Sequence, residues 1–75
     1  MSKDYDFFDT RAREAADEAR AAKLDNVRER ALRSEAAWRG MADRALQVEQ
    51  DRQVANRERA ERREAETLAL QERTG

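Results

Sequence analysis

The sequence predicts an all-α fold: a two-helix antiparallel hairpin whose second helix runs well past the first. Three observations predict it. Charged residues make up 44% of the chain, Ala, Glu and Arg dominate, there is no Pro, and Gly40 and Gly75 are the only glycines. That is the composition of long helices, and β-branched runs and alternating patterns are missing. Apolar residues recur at helical spacing in two separate stretches. Between the stretches the register slips over a short segment, K-L-D-N, that carries helix-capping residues.

The longer stretch runs from Asn26 to Val48. Val27, Ala31, Ser34, Trp38, Met41, Ala45 and Val48 follow one another at spacings alternating between four and three. That alternation puts side chains along one side of a helix. The shorter stretch precedes it, through Tyr5, Phe8, Ala12, Ala15, Ala19 and Ala22. Beyond Phe8 this seam is all alanine, which permits close helix approach but buries little area. The expected first helix covers about residues 5–22, after a frayed lead-in at residues 1–6, with Asp4 or Asp6 as N-cap and Asp9 adding favourable charge to the first turn.

Continuing the first stripe past Ala22 would place Asn26, Glu29 and Arg33 in the seam. The spacing therefore predicts a turn over 23–26 and a second helix from 27 toward 70. Asn26 with Glu29 forms an Asn-headed capping box, and Leu24 stands where a staple residue belongs. A bent continuous helix is the competing reading, because nothing in the segment forbids helix as Pro would. In the hairpin, Ala19 falls near Ala31, Ala12 and Ala15 near Ser34 and Trp38, and Tyr5 and Phe8 near Met41 and Ala45. Gly40 lies off the seam, either as a surface glycine or as part of a small patch with Ala36 that allows close approach.

Residues 1–48 thus form the hairpin and residues 49–75 a charged helical extension with a frayed end. The extension holds six basic and seven acidic side chains. Glu58 with Arg62, Arg57 with Glu61 and Arg62 with Glu66 are spaced to pair along a solvated helix.

Length limits what such a chain can do alone. A 75-residue chain makes one domain with little surface to bury. With no Cys and no His, disulfides, thiolate or imidazole metal sites and His-based acid–base catalysis are excluded. Oligomerisation or a larger protein partner is left to complete the core. There is no nucleophile–base pair and no Gly-rich phosphate loop, and two helices enclose no pocket. The chain is read as non-enzymatic, without cofactor or small-molecule substrate. Glu14, Asp17 and Glu18, even with Asp25, read as solvated charges and not as a cation cage, which needs converging oxygens.

Net charge is −1, so nothing draws the whole chain to nucleic acid or anionic membrane. No apolar run approaches a membrane span, the acidic start lacks a signal-peptide core, and a cytoplasmic location is expected. The candidate partner-binding or core residues are Tyr5, Phe7, Phe8, Trp38, Met41, Ala45 and Val48. Adjacent Phe7 and Phe8 cannot both face one seam, so Phe7 is left at the edge as an anchor for a partner helix. Arg57, Arg59, Arg62 and Arg63 are candidate anion contacts, but the interleaved Glu58, Glu61, Glu64 and Glu66 argue for an ordinary charged helix.

With A-A-K-L-D-N-V-R-E-R-A-L-R-S-E-A-A-W-R-G-M-A-D-R-A in view, the chain resembles a set of short, Arg/Ala/Glu-rich helical-hairpin proteins of bacteria, of unknown function. They share an aromatic N-terminal start, an R-A-x-E-A-A-like first helix and an A-W-x-x-M-A-x-R-A-like second helix. The resemblance covers about residues 5–46. It implies a two-helix fold and a bacterial origin, and it supplies no activity.

The functional expectation is a small protein–protein interaction module, an adaptor or regulator acting through helix–helix packing. It is expected to form a homodimer, as a four-helix or coiled-coil arrangement, or to bind a larger protein. Two alternatives remain: a nucleic-acid-associated protein using the Arg-rich C-terminal helix, and a plain oligomerisation stalk.

Overall fold

The computed structural model describes residues 2–74, with the backbone alone for Thr74. It is a helical hairpin: α1 spans Lys3–Ala21 and α2 spans Asp25–Thr74. Fifty residues of α-helix at 1.5 Å each measure about 75 Å, and the molecule measures 76 × 14 × 12 Å. The long axis is therefore α2 itself. The radius of gyration, 21.9 Å, is about twice the roughly 11 Å of a compact chain of this length.

The first helix begins earlier than expected. Ser2 is the N-cap, its Oγ accepting the Tyr5 N–H at 3.2 Å and its carbonyl accepting the Asp6 N–H at 3.2 Å. Neither Asp4 nor Asp6 caps. Both fall inside the first turn, where their charge still favours the helix dipole. The frayed lead-in is thus helical from Lys3; Met1, and Gly75 at the expected frayed end, lie outside the described residues.

The turn is Ala22, Lys23 and Leu24, slightly ahead of the expected 23–26. Ala22 leaves the helix in extended conformation, φ −67° and ψ 134°, and its N–H reaches the Ala19 carbonyl at 3.4 Å. Described residues show no positive φ, so the chain reverses without glycine. The expected capping box does not form, because Asn26 and Glu29 both lie inside α2. The Leu24 carbonyl accepts the first helical bond, from the Arg28 N–H at 3.0 Å. Leu24 is no staple: it is 63% exposed. Arg28 holds the turn instead, donating to the Asp25 carboxylate at 3.2 Å and to the Ala22 carbonyl at 2.9 Å. That second bond satisfies a carbonyl orphaned at the end of α1.

Among the described residues, those that are buried are all alanine: Ala12, Ala15, Ala19, Ala31 and Ala42. The first-helix stripe faces inward as its spacing predicts. The second-helix stripe is rotated. Ala31, Trp38 and Ala45 hold their place, but Ser34 is exposed and Val48 is 56% exposed, whereas Glu35, Ala42 and Glu49 turn inward. A strict seven-residue repeat drifts by about 20° per heptad on a straight α-helix. Over the three heptads from Val27 to Val48 it drifts about 60°, enough to carry Val48 out of the seam.

Past residue 53 α2 leaves α1 behind. Every described side chain from Asn56 onward is exposed, including Leu68 at 53% and Leu70 at 59%. The expected tail pairs are open: among the described residues no ion pair lies beyond Glu49–Arg52 at 3.4 Å. Gly40 is a surface glycine, since a Cβ there would meet only the Arg44 guanidinium, at 3.7 Å.

Candidate functional site: an aromatic strip on one side of the hairpin

The apolar bulk that the alanine seam cannot accommodate collects on one side. Phe8 lies at the seam and its neighbour Phe7 is turned about 100° away along the helix. Both rings reach Trp38. Phe7 meets it edge-on at 5.9 Å between centroids, and Phe8 stacks on it at 6.1 Å; Phe7 and Phe8 themselves meet edge-on at 5.6 Å. Phe7 stays 50% exposed. The Arg11 guanidinium carbon lies 5.3 Å from the centre of the Phe7 ring, within cation–π range.

From this cluster the strip continues toward the free end of the hairpin. Phe8, Met41, Ala45 and Val48 form the apolar wall of a groove of about 300 Å³, closed at its rim by Asp4, Arg44 and Arg52. Toward the turn, Ala15, Ser34 and Trp38 share a smaller hollow with Arg11, Glu14 and Glu18. Trp38, Met41 and Ala45 are partly buried. The structure thus brings six of the seven predicted residues to one side. Tyr5 lies on the other edge of the seam, beside Leu46 and Glu49.

That opposite edge carries a feature the sequence reading missed. Asp9 sits between two arginines: Arg39 across the hairpin, with Nη1 at 2.8 Å, and Arg13 one turn on, with Nε at 3.1 Å. The hydrogen bond from Arg39 holds the Asp9 carboxyl below the usual aspartate range, with desolvation opposing and the charge of Arg13 assisting. The same bond makes Arg39 harder to deprotonate. The available signal was weak: Asp9 follows Phe8 directly, and a charge beside a seam residue is ordinary on any amphipathic helix. Ala42 was also missed. It lies four after Trp38 and three before Ala45, so it fits a helical line as well as Met41 does.

No protein-family model, curated protein or solved structure matches the chain.

The remaining candidates stand apart. Arg57, Arg59, Arg62 and Arg63 are exposed on the overhang. At about 100° per residue Arg59, Arg62 and Arg63 share one face of α2, with Glu66 on the same face, while Arg57 points away and Glu58, Glu61 and Glu64 lie on the other side. Among the described residues no cluster of acidic side chains is arranged to hold a metal, and no helix is long and apolar enough to cross a membrane.

Proposed function

We propose that this chain is a non-enzymatic interaction module that works by helix–helix packing. The carrying observation is the mismatch between its two apolar sets. What the hairpin buries is alanine, and five buried methyl groups contribute only about 4 kcal/mol. What it leaves half-covered is aromatic and aliphatic: Phe7, Trp38, Met41 and Val48 on one side. A large apolar strip rimmed by charges is the usual form of a protein-binding surface. Its occupant is a second copy or the helices of another protein, in a cytoplasmic setting. The nucleic-acid reading is not preferred, because seven acidic side chains balance the six basic ones of residues 49–75 even though Arg59, Arg62 and Arg63 share a face; nor is the stalk reading, because the tail has no apolar seam.

Absolute mass by light scattering, measured together with helicity by circular dichroism, tests this. A helical dimer supports the module reading, and so does a partly helical monomer that needs a partner to complete it. A fully helical, cooperatively melting monomer overturns it, because the hairpin is then self-sufficient.

A further inference from the structure

We propose that the strip is covered by a second copy of this chain, related by a two-fold axis parallel to the helices. In that dimer α1 of each copy lies across α2 of the other, and both overhangs leave from the same end. The inference rests on the module reading above and names its partner and geometry.

Charge along the two edges of the strip carries it. The α1 edge is acidic: Asp4, Glu14 and Glu18 line the hollows on this side. Two cations share this edge and leave it net acidic: Arg11 is engaged within it, over Phe7 and 3.9 Å from Glu14, and Lys3, exposed, stands one turn before Phe7. The α2 edge is basic on balance, with Asp51, one turn after Val48 and accepting from Gln47 at 2.9 Å, an acidic exception. Arg44 and Arg52 line the groove, with Glu49 paired to Arg52 at 3.4 Å. Arg30, exposed, stands one turn before Ser34 on the same row of α2.

A two-sided hairpin can cover this face with its own copy in two ways. A two-fold axis running across the helices sets α1 on α1 and α2 on α2, acidic edge on acidic and basic on basic. An axis along the helices sets each acidic edge over a basic one. It also keeps the two copies level. Asp4, which shares its groove with Arg44 and Arg52, then meets the same arginines of the second copy. Glu14 and Glu18, level with Ser34, meet Arg30 of the second copy. The aromatic cluster lies between these contacts and is buried against its own symmetry mate. Like charges juxtaposed across an interface are strongly disfavoured, so the axial arrangement is selected. Each overhang is neutral overall, residues 54–74 carrying five basic and five acidic side chains.

Spin labels on a single Ala65→Cys substitution in the full, otherwise cysteine-free chain report the geometry by dipolar spectroscopy. With neighbouring helices 8–10 Å apart, the axial dipole pair falls at about 15–30 Å, label arms included. The crossed arrangement puts residue 65 of each copy roughly 36 Å beyond the centre of the strip, for a separation near 70 Å. A long distance overturns the geometry while leaving the module reading intact. A mass of one chain, 8.7 kDa, with partial helicity overturns the second copy as partner but not the module reading, and a fully helical monomer overturns both. A charge exchange checks the pairing independently. E14K/E18K and R30E each weaken the dimer about tenfold, and the triple variant recovers most of the loss. A triple variant no tighter than its parents overturns the proposal. All three changes are at exposed positions, and circular dichroism verifies that the helices persist.

Discussion

Replacing Trp38 with alanine removes the side chain on which both Phe7 and Phe8 of α1 pack. Its loss can be sized from the structure. Two ring pairs disappear, Phe7–Trp38 at 5.9 Å and Phe8–Trp38 at 6.1 Å. Each is worth about 0.5–1.5 kcal/mol beyond the area it covers. Truncating a fully buried Trp costs about 3–5 kcal/mol in all; Trp38 is partly buried, which puts the expected loss near 3 kcal/mol at the lower end of that range. A chain of this size has a total stability of only about 4–11 kcal/mol. Trp38→Ala should therefore lower the urea midpoint sharply, read by circular dichroism at fixed protein concentration so that association does not shift the comparison. Trp38→Phe, which keeps an aromatic ring against Phe7 and Phe8, should recover over half of the loss. A Trp38→Ala midpoint within about 0.5 kcal/mol of the parent, the scatter of ordinary surface substitutions, would refute the assignment of Trp38 as the hairpin's clasp.

Gly40→Ala should stabilise the chain by about 1 kcal/mol, because the site is mid-helix and its added methyl meets only the Arg44 side chain. A thermal midpoint raised by about 4–8 °C is the expected reading, and a fall would mean another surface approaches Gly40 closely. Asp9 has its folded-state pKa depressed, chiefly by the Arg39 hydrogen bond. Its contribution is therefore complete above the ordinary aspartate value and is lost as pH falls through the lower folded one. Asp9→Asn should lower stability at neutral pH and flatten this acid limb in a pH series of unfolding midpoints, and an unchanged limb would contradict the pairing. Hydrogen exchange should divide α2 in two. Amides beneath α1, around Ala31 to Ala45, should be protected to near the global stability, while those past residue 56 exchange fast from a helix held only at one end.

Composition and periodicity made the fold legible. Ala, Glu and Arg without Pro select helix, and the register slip between Ala22 and Val27 marks the reversal. The all-alanine seam of α1 was readable because alanine at every three or four positions has no competing pattern nearby. The face of α2 was harder. Met41 is larger than Ala42, and Val48 is apolar where Glu49 is charged, so the apolar pattern favours them, yet a straight helix rotates them toward the edge. A sequence records which residues are apolar and not how far the helix is underwound, and only underwinding by a partner keeps a seven-residue repeat in line. The turn escaped for a related reason. Asn26 and Asp25 are both good caps, but α2 begins at Asp25, two residues before the expected start, with Arg28 reaching back to Ala22. The Asp9–Arg39 pair joins residues thirty apart, a link that becomes visible only when the hairpin register is known.

On the function proposed above, the alanine-cored hairpin is completed by association through the Phe7, Trp38, Met41 and Val48 side. The most direct test is the thermal midpoint of the full chain across a wide range of concentration, with mass followed in parallel. Coupled folding and association predicts a midpoint that climbs with concentration as dimer replaces monomer. A fully helical monomer with a cooperative, concentration-independent midpoint would contradict the claim.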